Sequence, residues 1–235
     1  YDIMDYIHTA CPAAKLAISS HYPYIDQPDR HPHDGYDKIY KWLIENNKYY
    51  NFCISYKDYE TYKRDGANVD KLLVCPNGAQ HRDYHFTEKP LKPSWTLYLG
   101  RIEPRKRQYL YQDIYGVEFV GKYTDTTSFD RNRDCYLGQW EHEYKLQHVT
   151  DYGNMMLLSD GENGTPLVIK EALVAGLGVV VSKYAAHDLD TSLPFVTVIP
   201  DDKWEDIEYV QKKLIENRKV SVTMRKEIRQ YGIDN

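Results

Sequence analysis

Leu97-Tyr98-Leu99-Gly100-Arg101-Ile102-Glu103-Pro104-Arg105-Lys106-Arg107 is the stretch on which the reading of this chain turns. An apolar run ends abruptly in Gly-Arg, and four cations then fall within seven residues. The run reads as a buried strand over 95–99, and Gly100 as the turn at its carboxyl edge. Arg101 projects from that edge. Lys106 follows near the start of a helix expected over 108–114. A planar guanidinium and an ammonium converging there suit a diphosphate. A solvated basic cluster is the competing reading.

Outward from this stretch the same pattern recurs. Strands are expected at 117–120, 135–137, 154–158, 179–181 and 195–199, with helices at 167–175, 204–217 and 220–231. Before it, strands are expected at 16–20, 51–55 and 71–75. Helices fall between them at 36–46, with Ile39, Leu43 and Ile44 on one face, and at 58–65. Residues 23–35 form a Pro/Asp/His-rich loop, and Pro76-Asn77-Gly78 is a turn. Strands alternating with helices predict an α/β fold with Rossmann-like parallel sheets, whose ligands lie beyond the carboxyl ends of the strands. By composition, 1–78 is a partial first domain, 79–94 a polar linker and 95–235 a complete second domain.

A second chemical segment is Ser159-Asp160-Gly161-Glu162-Asn163-Gly164-Thr165-Pro166-Leu167. A strand ends in a Gly-containing loop that opens a helix. The free amides around Gly164, Thr165, Pro166 and Leu167, with the positive end of the helix dipole, form an anion site. Glu171, one turn into that helix among apolar neighbours, is placed to accept hydrogen bonds from ribose hydroxyls. Glu162, in the loop, is placed to reach a sugar hydroxyl. His21, directly after the first strand, is placed to face a cleft between the domains. An incidental loop histidine is the alternative.

Composition narrows the classes. The 235 residues carry 30 Lys+Arg against 35 Asp+Glu, a net charge of −5, which argues against nucleic acid as a partner. No run approaches the roughly 20 apolar residues of a membrane-spanning helix. Four scattered cysteines point to neither a zinc site nor a disulfide framework, and a reducing, cytoplasmic compartment is expected. Tyrosine occurs 23 times and phenylalanine 5. That excess suits sugar and nucleotide surfaces but reads equally as ordinary amphipathic surface. The chain begins at Tyr1, without Met or a signal pattern.

Taken together, these residues resemble the family-four GT-B glycosyltransferases. The 97–106 stretch resembles the family's strand, Gly-Arg and Lys element, which holds the donor diphosphate. Cys75-Pro76-Asn77-Gly78 resembles the turn entering the second domain, and Tyr136-Leu137-Gly138-Gln139-Trp140 the short strand near the donor base. Glu162 through Glu171, then Ala172-Leu173 and Gly176, resembles the paired-glutamate motif. Here eight residues separate the glutamates where the family has seven, so Asn163 competes with Glu162 for the first position. His21 falls where the family often keeps a His near the transferred sugar. The resemblance implies a nucleoside-diphosphate-sugar donor and retaining transfer to a carbohydrate, lipid or protein acceptor. It implies catalytic roles for His21 and Glu162, diphosphate binding by Arg101 and Lys106, and ribose binding by Glu171. With the diphosphate so neutralised, no cofactor and no obligatory metal are expected. Most of the acceptor-side domain is expected to be missing, with weak donor binding and poor turnover by these residues alone. A peripheral hold on a membrane through that missing region stays open. A non-catalytic nucleotide-sugar-binding module and a GT-B-type sugar-nucleotide epimerase are the alternatives.

Overall fold

The computed structural model describes residues 2–31, 33–124 and 128–235. Pro32, inside the expected 23–35 loop, lies outside the described residues. The chain divides into two compact units, Tyr1–Asn77 and Gly78–Asn235.

The first unit holds helix α1 (Asp2–Ala10), strand β1 (Ala17–Ser19), helix α2 (Tyr36–Glu45), strand β2 (Tyr50–Cys53), helix α3 (Tyr56–Arg64) and strand β3 (Leu72–Val74). Its three strands pair in parallel in the order β1-β2-β3. Ser55 starts α3: its hydroxyl accepts from the Asp58 amide at 3.0 Å, while Asp58 accepts from the Ile54 amide at 3.1 Å. The buried stripe of α2 is Tyr36, Tyr40 and Leu43. Ile39, expected on the inner face, is exposed. Tyrosines outcompete isoleucine there because a phenol fills the core and still finds a polar partner. Tyr36 meets Ser20 Oγ at 2.9 Å and Tyr40 donates to Asp65 at 2.5 Å. The tyrosine excess is thus partly core material, not only amphipathic surface.

In the second unit, strand β4 (Lys92–Leu99) is followed by β5 (Val117–Val120), helix α4 (His142–His148), β6 (Tyr152–Leu157), helix α5 (Leu167–Val174), β7 (Gly178–Ser182), β8 (Val196–Ile199) and helices α6 (Ile207–Thr223) and α7 (Arg225–Asp234). The sheet is parallel, in the order β5-β4-β6-β7-β8. Strands β5, β6 and β7 are buried throughout, as a sheet covered on both faces requires. Leu99 is level with Val120, and Leu157 with Val181. The turns after β4, β5 and β6 therefore gather at one edge.

Three local expectations change. Residues 135–137 make only an isolated bridge, Phe119 to Tyr136, instead of a full strand. The expected 108–114 helix is replaced by two short 3-10 turns, Pro104–Lys106 and Gln108–Leu110, because Arg107 between them is left-handed at φ 57°. Residues 79–94, expected as a linker, pack into the second unit. Tyr84 is buried, the His85 amide donates to Leu146 O at 3.0 Å, and the Thr87 amide donates to Thr150 Oγ1 at 3.1 Å. The segment is polar by composition, yet its few aromatics are what the core takes up. No helix among the described residues is long and apolar enough to cross a membrane.

Candidate functional site

Beyond β4 the backbone turns at Gly100 and is pinned from several sides. Gln108 Nε2 donates to Arg101 O at 2.8 Å. The buried phenol of Tyr98 donates to the Lys106 carbonyl and accepts from the Leu158 amide at 3.1 Å, tying the cationic loop to the end of β6. Gly121 brings the next turn in so closely that a Cβ there would stand 1.9 Å from Gly100 O. The loop is therefore held as a rigid edge.

The Lys106 side chain, only 11% exposed, lies over Gly100, with its Nζ 3.8 Å from where a Cβ would stand. Its Nζ meets Glu162 Oε1 at 3.1 Å, and Arg105 Nη1 reaches the same oxygen at 3.1 Å. Arg105 also donates to Gly161 O and pairs with Glu103 at 2.8 Å, while the Asp160 amide donates to Arg105 O at 2.8 Å. Arg107 pairs with Asp160 at 2.9 Å. The basic run is thus largely a clasp on the loop at 160–162. The exposed Arg101 stands outside that clasp and pairs with Glu103 at 3.7 Å.

After that loop, Gly164 takes a left-handed φ of 69° and Pro166 caps α5, leaving the first-turn amides at Leu167 and Val168 without helical partners. The hydroxyl of Thr165 is committed to His187 O, so only its backbone is offered to a ligand. Glu171, one turn in, pairs through Oε1 with Lys145 Nζ of α4 at 2.6 Å. Its Oε2 and the Tyr84 hydroxyl are buried and have no hydrogen-bond partner among the described residues. Burial, and then the charge of Glu171, push the Tyr84 phenol well above its ordinary pKa.

The Gly100 turn and the start of α5 meet around a cavity of about 200 Å³ lined by Gly100, Arg101, Gly121, Lys122, Gln139, Trp140, Lys145, Val168 and Glu171, among others. Gln139 and Trp140 also line a cavity of about 520 Å³ with Lys92, Leu137, Tyr144, His148 and Tyr152. Of the expected site residues, Arg101 and Glu171 line the smaller cavity. Lys106 lies over Gly100 and meets Glu162, while residues 164–167 are not part of the lining and only the next residue, Val168, is. His21 belongs to the first unit, exposed just beyond β1, with Nε2 3.4 Å from Ser19 Oγ. Sequence reasoning missed Lys145 and Tyr84. The first lies on a helix that was not expected, and the second in the apparent linker. Arg105 was visible only as part of the basic run. Among the described residues, no three His, Cys, Asp or Glu side chains gather as a metal site.

No protein-family model matches the chain, and no curated protein matches it in sequence. Solved structures do. Anabaena HepE, crystallised with UDP-glucose, is 14% identical with a TM-score of 0.72, over 99% of this chain and 71% of HepE. Sucrose-phosphate synthase of Thermosynechococcus elongatus is 15% identical with a TM-score of 0.72, over 100% of this chain and 67% of the enzyme. WaaG, a glycosyltransferase involved in lipopolysaccharide biosynthesis, is 12% identical with a TM-score of 0.68, over 99% and 77%. At such identities the likeness is one of architecture, and that architecture, two parallel α/β units with the turns after β4, β5 and β6 gathered at one edge, is the GT-B fold of the glycosyltransferases.

Proposed function

We infer that the second unit binds a nucleoside-diphosphate sugar and that the protein is a glycosyltransferase, moving the sugar with retention to a carbohydrate, lipid or protein acceptor. One observation carries this reading: Arg101 and Glu171, far apart in sequence, line a single cavity at the carboxyl edge of a parallel sheet, beside the ammonium of Lys106. In it Arg101 offers a planar fork to the diphosphate, Lys106 a point charge, and the backbone at Gly164, Thr165, Pro166 and Leu167 further donors. Glu171 accepts from the ribose. The leaving diphosphate is the group whose charge grows in the transition state, and preorganised cations and amides stabilise it without an obligatory metal. Glu162 is assigned to the transferred sugar. That UDP or UDP-glucose occupies HepE in its crystals supports the donor class.

Calorimetric titration with UDP, GDP, ADP and their sugars tests the site. At least one is expected to bind, and Arg101→Ala is expected to weaken it by about tenfold or more, the worth of a charge-assisted hydrogen bond. Binding that ignores the substitution rejects the assignment. Incubating a labelled donor with acceptors separates the chemistries: transfer supports the reading, whereas donor interconversion favours an epimerase, and binding without turnover a non-catalytic module.

A further inference from the structure

We propose that Lys145 is a specificity-determining residue of the donor site, reading the ribose diol jointly with Glu171. The inference rests on the donor reading above. Lys145 and Glu171 come from different helices, α4 and α5, and both line the cavity that contains Arg101. Their side chains are 21% and 14% exposed, so the pair is sheltered yet open on the cavity side. The 2.6 Å contact uses one of the three ammonium N–H groups and one lone pair of Glu171 Oε1. Oε2 is buried without a hydrogen-bond partner among the described residues, and Lys145 Nζ stands 5.8 Å from the centroid of the Tyr84 ring. The paired side chains lining the cavity are thus an acceptor, Glu171, and a donor, Lys145, side by side. A vicinal diol presents the matching pair, with one hydroxyl donating to Oε1 and its neighbour accepting from Nζ. A site holding two sheltered polar groups discriminates strongly against a ligand that leaves one of them unmet.

The test compares UDP, GDP and ADP with their 2′-deoxy and 3′-deoxy counterparts, titrated into the whole chain and into Lys145→Met, which keeps the apolar stem. The unaltered chain is expected to bind the preferred ribonucleotide about tenfold more tightly than the deoxy form lacking the Lys145 partner. Lys145→Met is expected to lose that preference by weakening the ribonucleotide, leaving that deoxy form within about threefold. Circular dichroism checks the fold. Should Lys145→Met unfold, Lys145→Leu, which also lacks a donor, carries the same comparison. Equal losses for ribo and deoxy forms, or no loss, overturn the inference while the donor reading stands on the Arg101→Ala result. Failure of all three ribonucleotides to bind overturns both.

Discussion

Arg107 shows how one side chain holds an unfavourable backbone. Its φ of 57° costs a non-glycine residue about 1–2 kcal/mol. Against this stand a 2.9 Å ion pair with Asp160 and a guanidinium 3.9 Å from the Trp204 ring centroid. Those contacts contribute about 0.2–1 and 0.5–1 kcal/mol. Arg107→Ala keeps the strain and loses both contacts, so it is expected to destabilise the second unit by about 1–2 kcal/mol. Arg107→Gly loses the contacts but relieves the strain, and is expected to be near neutral. Denaturant titration of the two variants checks the contrast, and equal losses would remove the strain argument. At this scale the chemistry of the site was partly legible. Gly100, Arg101 and Glu171 announce themselves, because a glycine-turned strand end and a carboxylate among apolar helix neighbours leave few other uses. Glu162 was legible as a loop acid. That it would neutralise Arg105 and Lys106 was not, because that pairing depends on two loops meeting.

Two elements meet where glycine is required. A Cβ at Gly153 would stand 2.2 Å from Pro93 O, where β6 crosses the irregular register between Lys92 and Thr96 of β4, and one at Gly121 would collide with Gly100 O. Gly121→Ala is expected to cost about 3 kcal/mol or more, since backbone must move, and to abolish nucleotide binding by displacing the Gly100 turn. Melting and calorimetry together check this, and unchanged binding in a stable variant would contradict the site's geometry. Arg225, at the start of α7, ties that helix to the segments before β4 and β6 and to the end of α5. Its guanidinium donates to Thr87 O at 2.7 Å, Tyr152 O at 3.0 Å, Thr150 O at 2.6 Å and Ala175 O at 3.2 Å. Burial lowers its pKa to about 10, yet the charge is retained at neutral pH. Arg225→Met leaves those carbonyls unmet and is expected to cost about 3 kcal/mol in a denaturant midpoint, after relief of the buried charge. Strongly apolar strands were legible as elements. Helix α4 was not: in His142-Glu143-Tyr144-Lys145-Leu146-Gln147-His148 only Tyr144 and Leu146 are apolar, two apart, and no residue of the helix is buried. The expected helix at 108–114 failed for the converse reason, since its apolar spacing was right but Arg107 breaks the path into it.

Across the whole molecule, tyrosine carries core positions in both units. Tyr62, Tyr98 and Tyr152 are buried, and burial raises each phenol above its ordinary pKa near 10. In the unfolded chain these phenols ionise first. Above pH 10 the unfolded state then holds fewer protons, so stability falls as pH rises through that window and is unaffected below it. Each fully protected phenol contributes a slope of about 1.4 kcal/mol per pH unit. Denaturant midpoints are expected to fall progressively as pH rises above about 10, and ultraviolet titration should show phenols that ionise only on unfolding. A folded chain in which every tyrosine titrates near 10 would refute this. The alternation of strands and helices made the α/β class legible from the sequence. The joining of 79–94 to the second unit was not, because Tyr84 and Phe86 earn their place only through partners such as Gly176, distant in the chain.

Every pairing in both sheets is parallel, and β4 lies between β5 and β6. Parallel neighbours cannot be joined by a hairpin, so no strand finds its partner within a few residues. Ser19 and Tyr50 bound the crossover from β1 to β2, and the β4–β6 pairing waits until Tyr152 has been synthesised. Loop closure is thus the toll on every contact, and the nascent chain must carry exposed aliphatic segments through a slow search. It is during that interval that such unpaired apolar strands are open to aggregation.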